Sequence, residues 1–485
     1  MPKLYFLTGS QDLYGEDTLK QVAADSEMMA GYLHGQLKDV ADIEWKPTVL
    51  NSEGILGACR AASMDDDCVG VITWMHTFSP AKMWIKGLQA LSKPLLHLHT
   101  QANGRLPYDS IDMDFMNLNQ SAHGDREYGF ICARLGIPRE VLVGHYKDAG
   151  VVAGIRRFAE VAAAVAFSKK LKVAMFGSNM REVAVTDGDR VESQIRYGWE
   201  VNYYGIGDLA DLAANITEAE ISQKIKEYES DYEMGTDDLT AVREQAKYEV
   251  ALGRFLADGG FGAYTDTFQD LHNLKQLPGL ATQRMMAKGL GFGAEGDYKT
   301  AALNAVLFEM AKRRRGATGF MEDYTYDLAD ELALGAHMLE VSPVFAATKP
   351  RVEVHPLGIG GKEAPARLVF DGVQGDAIAV CMTDMGDRFR LIAAEIELVR
   401  QPKPMPNLPV ARLMWKIKPD FKTGAAAWIY AGGGHHTVVS NALTVDDIRL
   451  FAKLTKTELV VIDGSTNLNE LQKELELKSL LAKLK

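Results

Sequence analysis

The stretch VGVITWMHTFSPAKMWIKGLQALSKPLLH, residues 69–97, carries the fold in miniature. Val69–Trp74 is a short β-branched apolar run of the kind that forms a buried strand. Ser79 and Pro80 then supply an N-cap and a first helical position, and Ala81–Leu91 follows with helical spacing. Pro94–His97 returns to a second apolar run. Strand, helix, strand within thirty residues is the unit from which a parallel sheet with crossover helices is wound.

Outward from it the same alternation continues. Leu4–Thr8 and Trp45–Leu50 read as further strands of the first 170 residues, with a helix over Leu19–Leu37. A second α/β unit begins at LKVAMFG, residues 171–177, with a strand at Glu200–Tyr204. It then turns mainly helical through Glu218–Tyr228, Leu239–Leu256 and Lys299–Arg313. From about Gly319 helical periodicity fades. Segments such as Ala366–Phe370, Ala377–Met382 and Phe389–Glu397 alternate between Asp-Gly, Gly-Asp and Pro-rich turns. The expected architecture is two doubly wound, Rossmann-like α/β domains, 1–170 and 171–318. A mostly antiparallel, barrel-like domain, 319–485, follows them and ends in a short helical tail after Asn467.

Bulk composition narrows the function. The chain has 485 residues, 47% hydrophobic and 24% charged, and 65 acidic against 53 basic residues give a net charge of −12. That balance speaks against nucleic acid and anionic membrane surfaces as partners, since both select clustered basic charge. No uninterrupted apolar run reaches the ~18 residues of a membrane span. The N-terminal Met1–Leu4 leads directly into a strand, so no signal peptide is expected. Cys59, Cys68, Cys132 and Cys381 are scattered without CxxC spacing and read as reduced thiols of a cytoplasmic protein.

An α/β fold invites a nucleotide reading, which the glycines refuse. Gly9–Gly15 (GSQDLYG), Gly177–Arg181 (GSNMR) and Gly205–Gly207 (GIG) all lack the GxGxxG spacing that lets backbone approach a pyrophosphate. In GIGGK, residues 358–362, Glu363 stands where a Walker loop needs Ser or Thr.

Polar groups gather instead in four places of the second half. GAEGD, 293–297, places Glu295 in a glycine-flanked turn; FMEDYTY, 320–326, places Glu322 behind apolar strand residues. GAHMLEV, 335–341, carries His337 within an apolar run, and GGGHHTVV, 432–439, brings His435 and His436 into a β-branched strand. Each has a plain structural reading: a carboxylate near a helix N-terminus, a solvated strand edge, a hydrogen-bonded core histidine. Glycines before the paired imidazoles permit close backbone approach to a bound group. Taken together, two carboxylates and two imidazoles suit a borderline-hard divalent cation with room for oxygen ligands, and no cysteine competes for a closed zinc site. Whether four residues spread from 295 to 436 converge is not readable from the chain.

Nine ordered segments resemble the L-arabinose isomerase family across essentially the whole chain. They are GSQDLYG (9–15), WMHTFSPAKMW (74–84), SIDMDFMNLNQ (110–120), FGSNMREVAVTDGD (176–189), DLHNLKQLPGLA (270–281), GAEGDYKTAAL (293–303), FMEDYTY (320–326), LGIGGK (357–362) and AGGGHHTV (431–438). The resemblance implies a fucose-isomerase-like architecture and a free aldose as substrate. The implied reaction is L-arabinose to L-ribulose, with D-galactose to D-tagatose as a side activity and another free sugar such as L-fucose as the nearest rival. It implies Mn2+ (with Co2+ or Mg2+ as alternatives) held by Glu295, Glu322, His337 and His436, with Glu295 and Glu322 also moving the protons. Gln11, Phe78, His123, Met180 and Phe268 fall where the family lines its sugar pocket. Asp12 stands where many relatives carry histidine, and the role of His435 stays open. A homohexamer is implied too, each site completed by a neighbour's N-terminal domain. The reaction moves one proton between C1 and C2 and another between O1 and O2. A Lewis acid and two carboxylates answer that need, while a hydride shift remains the mechanistic competitor.

Overall fold

A computed structural model describes residues 1–358 and 360–484, so Ile359 of the GIGGK stretch lies outside the described residues. The chain divides into two compact units, Met1–Ala166 with Lys453–Lys456, and Phe167–Ala452 with Thr457–Lys485.

The first unit holds a five-stranded parallel sheet. Its strands are β1 (Lys3–Gly9), β2 (Asp42–Trp45), β3 (Cys68–Met75), β4 (Leu95–His99) and β5 (Arg139–Val143), in the order β2-β1-β3-β4-β5. All eight residues of β3 are buried, which is why Val69–Trp74 reads as a continuous apolar run: a central parallel strand is covered on both faces. The order reverses between β1 and β3, the place where a doubly wound sheet opens a crevice at its strand ends.

Two details differ from the sequence reading. The second strand ends at Trp45, and Lys46–Leu50 is a connection that touches β1 through the Lys46 N–H on the Phe6 carbonyl and the Gly9–Val49 bridge. Pro47 has no N–H to extend the ladder. Ser79 does not cap the following helix. Its hydroxyl accepts from the Trp84 indole N–H, while the Ala81 N–H donates to Glu127. The chain therefore enters through a 3₁₀ turn, Ala81–Trp84, and becomes α-helical only over Ile85–Ala90.

The second unit opens with β6 (Lys172–Phe176), β7 (Glu200–Tyr204), β8 (Glu233–Met234), β9 (Ala263–Asp266) and β10 (Gly291–Gly293). Four of these form a parallel sheet in the order β10-β9-β6-β7, reversing between β6 and β9. β9 and β10 lie in the stretch the sequence marks as mainly helical; at four and three residues they are too short to display a period.

Beyond these come β11 (Thr318–Asp327), β12 (Leu332–Ala336), β13 (Arg351–Val354), β14 (Ala366–Val369), β15 (Gly375–Asp384), β16 (Phe389–Val399), β17 (Arg412–Ile417), β18 (His436–Ser440) and β19 (Glu458–Ile462). The order β15-β18-β11-β12-β17-β16 is antiparallel throughout, and pairing of β15 with β16 closes it into a barrel. β19 adds to β16 in parallel. β13 and β14 pair with β8 in a small separate sheet. The tail expected after Asn467 is a fifteen-residue helix, Leu468–Ala482, capped by the Asn467 side chain. It packs Leu471 and Leu475 against a cluster that includes Ile392 and Val460. Among the described residues no helix is long and apolar enough to cross a membrane, and all four cysteines are buried free thiols.

Candidate active site

The barrel and the adjoining parallel sheet bring Glu295, Glu322, His337 and His436 together. Glu322 on β11 pairs with His436 on β18 and with Ala336 on β12, so one row of the ladder sets two of the four residues and the neighbour of a third. His337 follows Ala336 just beyond the end of β12. Its Nε2 lies 3.6 Å from Glu322 Oε2. Glu295 comes from the turn after β10, and its Oε2 lies 3.9 Å from His436 Nε2 and 3.8 Å from His435 Nε2. The Phe320 ring packs edge-on against both imidazoles, 5.2 Å from each, and the rings of His337 and His436 are 6.1 Å apart.

The turn that delivers Glu295 is strained. Glu295 has φ +60 and Gly296 φ +79, and a left-handed non-glycine residue costs on the order of 1–3 kcal/mol, a cost found repeatedly at functional sites. Gly296 is there for space as well as torsion, because a Cβ would sit 2.5 Å from Asn179 Cα. Asp297 then caps the helix Tyr298–Ala311 through the Thr300 N–H.

Each buried imidazole is held from behind by a carboxylate. His337 Nδ1 is 2.5 Å from Glu340 Oε2, and His436 Nδ1 is 3.2 Å from Asp297 Oδ2. With Nδ1–H donating to an acid, Nε2 presents its lone pair to the site, the arrangement by which proteins orient metal-binding histidines. His436 Nε2 is buried with no hydrogen-bond partner. Donors of Glu295, His435 and His436 fall within 4.8 Å of one another, spacing suited to a single cation.

The carboxylates of the site also stabilise charged imidazoles, so a cation taking a histidine Nε2 would displace a proton. The His435 imidazole, helped by His436 and His337, holds Glu295 below the usual carboxylate range against the effect of burial. Burial lowers His337, but the Glu340 carboxylate outweighs it and raises the imidazole to about 9. Asp266, at the end of β9, is pushed up to about 7 by burial and then by the Glu340 charge. Asp266, Asp297 and Glu340 were not singled out from the sequence. The available signal was Glu340 three residues after His337, with Asp297 two after Glu295 at a helix cap.

The remaining sequence candidates divide between the units. Gln11 follows β1, and Phe78 follows β3, at the reversal point of the first sheet. The Gln11 amide donates to the Phe78 carbonyl at 3.1 Å, Ser10 and Thr77 hydroxyls meet at 2.6 Å, and the Phe78 and His123 rings stack 4.4 Å apart. Asp12 is exposed in the 3₁₀ turn Asp12–Tyr14. In the second unit Met180 follows β6 and Phe268 follows β9, again at the reversal point, and both are half-buried. The Met180 N–H donates to the Glu295 carbonyl at 2.9 Å. The glycines before His435 serve packing: a Cβ on Gly433 would lie 2.2 Å from the Trp428 indole nitrogen. A Cβ on Gly434 would lie 2.6 Å from Val185 Cγ2.

Family models describe the same chain in three pieces. The L-arabinose isomerase N-terminal domain matches residues 1–170, the central domain 172–313, and the C-terminal domain 317–458. An L-arabinose isomerase of Geobacillus stearothermophilus is 52% identical over 482 residues, covering 98% of this chain and 97% of that one. The chain belongs to the L-arabinose isomerase family. L-arabinose isomerase 1 of Bacillus licheniformis is 51% identical over 477 residues (97% and 96% covered), and the L-arabinose isomerase of an Arthrobacter species is 50% identical over 481 (98% and 94%). Membership of the L-arabinose isomerase family makes this protein a sugar isomerase, the reaction class that the nine sequence segments imply.

Proposed function

We propose that the protein interconverts L-arabinose and L-ribulose, with D-galactose to D-tagatose as a side reaction. It would use a divalent cation held by Glu295, Glu322, His337 and His436. One observation carries the metal reading: the His436 imidazole is fixed by Asp297 at Nδ1 and keeps Nε2 buried without a hydrogen bond, Glu295 Oε2 lying 3.9 Å away, which is costly unless something takes that lone pair. Two carboxylates and two imidazoles suit a borderline-hard divalent cation, and the family resemblance implies manganese, with cobalt or magnesium as alternatives. When bound, the cation supplies Lewis-acid stabilisation of the negative charge that develops on O1 and O2.

The side chains account for the proton movements. Glu295, held ionised by its histidine neighbours, is suited to take the proton from carbon as general base. Glu322 stands beside His337 on the other side of the site and can serve the oxygens, the two exchanging roles in the reverse direction. Gln11, Phe78, His123, Met180 and Phe268 are assigned to the sugar's hydroxyl and apolar faces. In the homohexamer that the resemblance implies, the first three belong to a neighbouring copy's site. Four reduced thiols support a cytoplasmic location.

Ketose formation from L-arabinose by EDTA-stripped protein, with and without Mn2+, tests the reading. Metal-restored L-ribulose is expected; absence of ketose under both conditions overturns it. Retention of the C2 deuterium of labelled L-arabinose in the ribulose would replace proton transfer with a hydride shift.

A further inference from the structure

Lys299 is fully buried, and the mechanism above makes no use of it. An ammonium group out of water needs a complete set of acceptors, and this one has four. Nζ donates to the carbonyls of Val185, Thr186 and Asp187 at 3.0, 2.9 and 2.7 Å and lies 3.2 Å from Asp297 Oδ1. Asp297 is thereby shared. One oxygen faces Lys299 and accepts from the Thr300 N–H, while the other accepts from the Thr300 hydroxyl and faces His436 Nδ1. The three carbonyls belong to the segment that begins at Met180. Asn179 fastens that segment to the turn, its amide donating to Thr186 and Gly296 carbonyls.

We propose that Lys299 is a positioning residue of the metal centre, acting through Asp297 to hold His436 with Nε2 presented to the cation. The same ammonium ties the Val185–Asp187 backbone to the turn carrying Glu295. Charge and geometry both matter here. Without a fixed positive neighbour the Asp297 carboxylate keeps its Thr300 bonds but loses the charge that holds it ionised and turned to His436, and the anchor of the His436 tautomer weakens. The inference rests on the metal reading above.

Mn2+ dissociation constants of metal-stripped, full-length protein, read from the EPR signal of free Mn2+, test it, with metal-free melting temperatures alongside. Wild type that takes up no Mn2+, or His436→Gln that binds as well as wild type, removes the metal reading itself. Given wild-type binding, Lys299→Met should weaken Mn2+ about tenfold or more. Activity should recover at saturating Mn2+ while the half-saturating concentration rises. In an Asp297→Asn background the same change should add less than about threefold, because the intermediary is already gone. An unchanged constant in Lys299→Met, or an equal loss in both backgrounds, overturns the proposal. Should Lys299→Met melt below the assay temperature, the double variant, which removes both charges together, decides. Affinity equal to that of Asp297→Asn supports the relay, and a further tenfold loss overturns it.

Discussion

Glu322 and His436 are direct cross-strand partners in the β11–β18 ladder, so their side chains leave the same face of the barrel. Register there is chemistry: a one-residue slip would send both to the opposite face. Replacing Glu322 with Gln keeps the shape and removes the charge. Turnover should fall by about 10²–10⁴-fold, with weaker Mn2+ binding, measured by steady-state kinetics and metal titration. A near-wild-type rate would take Glu322 out of its assigned role.

Glu340 is the acid behind His337. Glu340→Gln should raise the Mn2+ dissociation constant by about 10–100-fold, the usual effect of losing a carboxylate behind a ligating imidazole. Calorimetric titration checks this, and an unchanged constant would leave the short His337–Glu340 contact without a part in metal binding.

Gly296→Ala places a methyl group 2.5 Å from Asn179 Cα and 2.6 Å from the Ser178 carbonyl oxygen, at φ +79. Thermal unfolding should show a loss of roughly 1–3 kcal/mol, and kcat/KM should drop as the Glu295–Met180 backbone contact shifts. Gly207, in the helix Ile206–Ala214 with open space around its Cα, is the control. Alanine there should be neutral or stabilising by up to about 1 kcal/mol. Equal losses at both positions would show that crowding is not what selects glycine at 296.

Glu249 is a buried carboxylate away from the site, ringed by Arg284 at 2.8 Å, Lys288 at 2.7 Å, Lys224 at 3.4 Å and the Tyr228 hydroxyl at 2.8 Å. Burial raises its pKa, but the Arg284 and Lys288 charges outweigh that and leave it below the usual carboxylate range. A depressed folded pKa contributes stability that is present above the unfolded value of about 4.3 and is lost as pH falls through the lower folded value. Wild type should therefore lose stability on acidification below about pH 4. Glu249→Gln should be less stable by about 3–5 kcal/mol at neutral pH, because it strands the cations, and should show a flatter acid limb. Urea melts across pH read both, and an unchanged acid limb would exclude Glu249 as a contributor.

Much of this was legible in the chain because burial on both faces writes itself as apolar runs. β3, β6, β7 and the helices Glu218–Asp231 and Leu239–Gly259 lie where periodicity marks them. β9 and β10 were hidden by their brevity, and the helix Phe421–Tyr430, with buried positions only at Phe421, Gly424 and Ala427, lay unseen in a stretch read as β. For the site, residue types and local spacing marked Glu295, Glu322, His337 and His436 individually. Convergence depends on strand order, which local sequence does not encode. Asp297 caps the helix Tyr298–Ala311, a local role; that it also grips His436 from 139 residues away is a fact of folding.

Strand order also sets a timetable for making the protein. β18 lies between β11 and β15, although it is the last strand of the closed barrel to be synthesised. A chain still leaving the ribosome can offer Glu295, Glu322 and His337, but until residues 436–440 emerge it has no His436, and β11 and β15 keep open edges that invite mispairing. A cation that needs all four donors would reward only the finished barrel, acting late, as a seal on completed synthesis and not as a seed for folding.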